Sequence, residues 1–83
     1  MSRGFYAVPS PQQRRFRQAI SATRDGRATA DVQAAWDAVG IGADTISRTH
    51  TLTLFDIYAE RLCLMPREEQ DPVVHALFGG PTA

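Results

Sequence analysis

Apolar side chains recur along this chain mostly at spacings of three, four and seven, the period of an amphipathic helix. In the first such segment Phe16, Ala19, Ile20 and Thr23 share one face, with Arg14, Arg17, Gln18 and Ser21 turned away from it. The preceding Ser10-Pro11-Gln12-Gln13 combines a hydroxyl cap, a proline at the first helical position and a glutamine three residues after the cap, the pattern of a capping box. Asp25-Gly26 then supplies a stop and a chain reversal, because glycine takes positive φ at little cost. A second helix, capped by Thr29 or Asp31, carries Val32, Ala35, Trp36 and Val39 at the same spacing, and Gly40 ends it. Gly40-Ile41-Gly42 makes a compact turn, after which Asp44 or Ala43 opens a short third helix through Thr45, Ile46, Ser47 and Arg48.

Residues 47–54 alternate partly and are rich in threonine, so helix and short strand compete there, and helix is the reading adopted. Over residues 52–65 apolar side chains cover most of a helical wheel, which predicts an interior helix. Pro66 ends it, and Asp71-Pro72 restarts a last short helix through Val73, Val74, His75, Ala76, Leu77 and Phe78 that stops at Gly79-Gly80. The expected fold class is therefore all-α, a compact bundle of four to five short helices. With 83 residues there is room for one core and one domain, with residues 1–9 as an N-terminal arm and residues 80–83 as a loose tail.

Composition narrows the function classes. No apolar run approaches the roughly 20 residues that span a bilayer, and no secretory leader pattern is visible at the start, so the expectation is a cytoplasmic protein with no membrane partner. Cys63 is the lone cysteine, which excludes an internal disulfide and every multi-cysteine zinc site. On the apolar helix it reads as a small buried side chain. Net charge is zero but uneven. Residues 1–27 carry six arginines against Asp25 alone, whereas residues 28–83 carry three against eight carboxylates. The asymmetry fits either arginines of the first helix paired with carboxylates on neighbouring helices or a basic surface aimed at an acidic partner, and internal pairing is the reading adopted.

Residues 25–52 carry the pattern with the most functional content. They read as helix, glycine turn and helix with a further helix in front: Val39 before the turn, Gly40 within it, Ile41 after it, and Ile46 on the second helix followed by Ser47-Arg48. In these features the segment resembles a helix-turn-helix DNA-binding domain. The resemblance implies that Val39, Ile41 and Ile46 fill the wedge between two helices while Thr45, Ser47, Arg48, Thr49 and His50 project toward base edges. Arg14, Arg15 and Arg17 on the preceding helix are candidate phosphate contacts.

No other constellation carries chemistry. Asp56 and Glu60 lie four apart with no third ligand or base nearby in sequence, and His50 and His75 fall on different elements. No phosphate loop or nucleophile motif is present, so the expectation is a non-enzymatic protein with no cofactor, no metal and no small-molecule substrate. Two readings stay open. One is a small, dimeric helix-turn-helix regulator that acts by occupying double-stranded DNA. The other is a protein-binding module or inhibitor, of a kind typical of phage and mobile-element gene sets, that uses an apolar patch of Phe5, Tyr6, Ile57, Tyr58 and Leu64 to block or recruit another protein. The apolar surface at Ile57 and Leu64 is also where a homodimer contact is expected.

Overall fold

The computed structural model describes residues 3–79, with side chains from Phe5 onward, and the expected loose tail at 80–83 lies outside the described residues. Six helices follow one another, α1 (Arg3–Ala7), α2 (Ser10–Arg24), α3 (Ala30–Ala38), α4 (Ala43–Arg48), α5 (Thr51–Cys63) and α6 (Arg67–Phe78), and no strand occurs among the described residues. This is a small all-α bundle with principal extents of 30 × 25 × 21 Å. α3 packs chiefly on α6, α2 on α6 and α4, and α1 on α5.

The sixth helix is α1, where a mere arm was expected. Phe5 explains it: this ring is fully buried, 5.1 Å from the Phe55 ring and 6.0 Å from Phe16 between centroids. Burying a phenylalanine side chain contributes about 2 kcal/mol, enough to hold one helical turn against the bundle. Gln13 secures the same turn. Its Nε2 donates to the carbonyls of Phe5 (3.0 Å) and Val8 (2.8 Å), satisfying acceptors that a helix end leaves without partners. The expected capping box is therefore replaced: Pro9 occupies the cap position, Ser10 is already helical, and the Gln13 side chain serves α1.

Phe16 on α2 is the hub of the core. Its ring stacks on Phe78 at 4.9 Å and 8°, and meets Phe55 and Tyr58 at 5.7 Å and Trp36 at 6.0 Å. Such offset and edge contacts add about 0.5–1.5 kcal/mol per pair beyond area burial. Trp36 is buried, and its Nε1 donates to Thr23 Oγ1 (2.9 Å), whose own hydroxyl donates to the Ala19 carbonyl (2.7 Å). Tyr58 differs: its Oη is buried with no hydrogen-bond partner among the described residues, and burial raises its pKa above the ordinary 10.0.

Local signals place several boundaries correctly. Gly26 and Gly40 take φ of +72° and +68°, and Thr29 Oγ1 accepts from the Val32 amide at 3.3 Å. Residues 47–54 are helical on both sides of an extended step at Thr49 and His50, so the strand alternative fails. The last helix begins at Arg67 rather than at Asp71, with Pro72 inside it. Proline costs the Glu68 carbonyl its helical donor. The turn survives because Glu68 and Glu69 favour the positive N-terminus, Gln70 Nε2 donates back to the Met65 carbonyl (3.0 Å), and Val73, Leu77 and Phe78 are buried beyond it.

Candidate functional site

The segment that resembles a helix-turn-helix unit is α3, a turn at residues 39–42, and α4. Val39, Ile41 and Ile46 are all buried, and Ala35 is buried with them. Two arginines hold this segment from outside, one at the turn and one at the end of α4. Arg61 on α5 donates from Nη1 to the Val39 carbonyl at 3.2 Å and also to the Gly40 carbonyl. Arg24 at the end of α2 donates from Nε to the Ile46 carbonyl (2.9 Å) and from Nη2 to the Thr49 carbonyl (2.6 Å). Each guanidinium thus satisfies acceptors at a helix C-terminus, where the helix dipole also favours a positive charge. A six-residue helix forms little on its own, so α4 owes its shape to Ile46 inside and Arg24 at its end.

Among the described residues the arginine contacts differ from the expected pairing with carboxylates on neighbouring helices. Arg24 and Arg61 go to backbone carbonyls, Arg17 lies 5.2 Å from the Phe5 ring centroid, and the Arg27–Asp25 ion pair at 2.9 Å joins residues two apart. Sequence reasoning passed over Arg24 and Arg61 as site residues. For Arg61 the available signal was an arginine on a largely apolar helix, which needs an acceptor brought by another element; Arg24, on the polar α2, gave none.

The predicted outward residues divide by exposure. Ser47, Arg48 and His50 are exposed, while Thr45 and Thr49 are half-buried. Arg48 folds back only loosely, Nε lying 3.4 Å from the Asp44 carbonyl. His50 caps α5: its Nδ1 accepts from the Leu52 amide (3.2 Å), so the neutral ring carries its proton on Nε2, which is left as an outward donor. Thr49 contributes its carbonyl to Arg24.

The three candidate phosphate contacts on α2 do not act as one row. Arg14 and Arg17 line a shallow groove together with Gln18, Ser21 and Arg27. Arg15 lies apart, its Nε 3.1 Å from where a β-carbon on Gly79 would stand, at the end of α6. Arg27, unremarked as a site residue in the sequence, joins the basic groove because the Gly26 turn folds it back beside Ala22.

The apolar partner patch is corrected. Phe5 and Tyr58 are buried and Ile57 is half-buried, because α1 closes over α5 and the Leu54–Phe55–Tyr58 face of α5 points inward. Tyr6 and Leu64 do face solvent, at 69% and 83% exposure. Cys63, expected inside, is exposed at the last residue of α5. Among the described residues no helix is long and apolar enough to cross a membrane.

Comparison of the chain with family models, with curated proteins and with solved structures finds no match. The functional reading therefore rests on the geometry of the turn and of the surfaces around it.

Proposed function

We propose that this chain is a small, non-enzymatic DNA-binding regulator of helix-turn-helix type, with α4 as the helix offered to the major groove. The observation that carries the reading is the turn itself: Val39, Ile41 and Ile46 buried around a positive-φ Gly40, with Ser47, Arg48 and His50 exposed on the far side. A major groove admits one α-helix, and a guanidinium, a hydroxyl and an imidazole Nε2–H match acceptors on base edges. In this reading Arg48 reads guanine, and Ser47 and His50 add base or phosphate contacts. Thr45 and Thr49, half-buried, border the contact. Arg14 and Arg17, joined by Arg27, meet phosphates; these fix register without reading sequence. Arg15, turned toward the end of α6, has no part in it.

Two copies would let the protein read two half-sites about 34 Å apart. The competing protein-binding reading loses its main support with the burial of Phe5 and Tyr58. Selection of random duplexes on the immobilised protein, followed by sequencing, tests the proposal. A short shared motif is expected, and an unenriched pool contradicts specific recognition.

A further inference from the structure

α3 and α6 lie side by side, and α3 presents alanine at its outer positions 34 and 38. Without bulk there, an apolar groove of about 550 Å³ remains between the helices, with Pro72 and Ala76 of α6 on one wall and Asp31, Glu68 and Glu69 among its lining carboxylates. A second groove adjoins it and shares Asp31, His75 and Ala76 with the first. Arg15 and Arg27 line that second groove. Along α6 the surface therefore runs from Glu68 and Glu69, through Ala76, to Gly79 with Arg15 beside it. At 1.5 Å per residue this strip spans about 15 Å.

Its two ends carry opposite charge, and between them the small apolar side chains of Ala34, Ala38, Pro72 and Ala76 leave it low, with Asp31 and His75 beside them. A twofold rotation about an axis midway along the strip, between Pro72 and Ala76, lays the acidic end of one copy on the basic end of the other and brings the small apolar residues together, which is the self-complementarity an isologous dimer needs. We propose that this strip is a homodimer contact, with Glu68 and Glu69 of each copy facing Arg15 of the other and Ala34, Ala38 and Ala76 packing about the axis. Apolar contact supplies the affinity, and the charges set the orientation. The expected contact at Leu64 is thereby replaced. The proposal is independent of DNA binding.

Sedimentation equilibrium over a range of protein and salt concentrations tests it, with helix content followed by circular dichroism. The wild type is expected to sediment at twice 9.1 kDa and to dissociate more readily at high salt. Glu68→Arg/Glu69→Arg alone and Arg15→Glu alone should each be monomeric, and an equimolar mixture of the two should regain the dimer. Ala38→Trp, which blocks the strip at an exposed position without altering charge, should be monomeric even if a charge variant fails to fold. Leu64→Glu should leave the dimer intact. A wild type that stays monomeric at every attainable concentration, a dimer that survives both charge variants or Ala38→Trp, a mixture that remains monomeric, or a dimer lost in Leu64→Glu would each overturn the proposal.

Discussion

The Arg61 guanidinium lies against Gly40, donating from Nη1 to the Gly40 carbonyl and standing 3.1 Å from where a β-carbon on that residue would be. The turn between α3 and α4 thus favours glycine first for its φ of +68°, and a methyl group there would also push the Arg61 guanidinium aside by a few tenths of an ångström.

Gly40→Ala should destabilise the protein by about 1–2 kcal/mol, mostly from the left-handed backbone. Arg61→Ala should cost about 1 kcal/mol, because the Val39 and Gly40 carbonyls regain only water. In the double variant the two losses should fall short of their sum, since the alanine methyl meets no guanidinium once Arg61 is gone. Urea denaturation of the four proteins measures this, and strict additivity would contradict the contact.

Tyr58→Phe should stabilise the fold by about 1 kcal/mol, since it removes a buried hydroxyl with no partner and keeps the ring packed on Phe16 and Phe78. The pH dependence follows from the same burial. The folded state holds the phenol neutral, whereas the unfolded phenol ionises at its ordinary 10.0, so this contribution is intact below pH 10 and declines as pH rises above it. The loss approaches 1.4 kcal/mol per pH unit. Wild type minus Tyr58→Phe stability, measured on both sides of pH 10, should show the decline. A difference independent of pH would mean that the hydroxyl is solvated.

What the sequence made legible was local. Glycine turns at 26 and 40, the Thr29 cap and the helical period of α2, α3 and α5 follow from residues within a few positions of one another. What it hid was carried by contacts distant along the chain. Gln13 reads as a capping-box residue until Phe5 folds back beneath it, and Pro72 reads as a helix start until Val73 and Leu77 are seen anchoring the turn before it to the core. The outward positions Ser47, Arg48 and His50 are exposed, following the buried Ile46 on the short α4. Arg24, which holds the end of α4, and Arg61, which holds the turn before it, each bond to a carbonyl 22 residues away, a distance at which the sequence pairs neither with its acceptor.

Arg24→Ala should reduce DNA retention although Arg24 is placed here as a positioning residue, because the Ile46 and Thr49 carbonyls that it caps define the end of α4. Amide exchange at Thr49 and at the end of α4 should quicken in this variant. Unchanged exchange would remove the cap from the account.

Arg17→Ala and Arg27→Ala should each weaken DNA binding similarly for all sequences and reduce the salt dependence by about one phosphate contact. Arg15→Ala should leave the slope unaltered. Titration of a labelled duplex across a salt series distinguishes them, and a slope change confined to Arg15→Ala would place the phosphate path on the opposite flank of α2.

The central claim is that α4 reads DNA through Arg48, and retention of mixed genomic fragments over a salt series, with wild type and Arg48→Ala side by side, tests it most directly. Wild-type retention should weaken steeply with salt, and Arg48→Ala should bind about tenfold less or worse, the worth of one bidentate base contact. Equal retention of the two proteins, or none by the wild type at low salt, would contradict the claim.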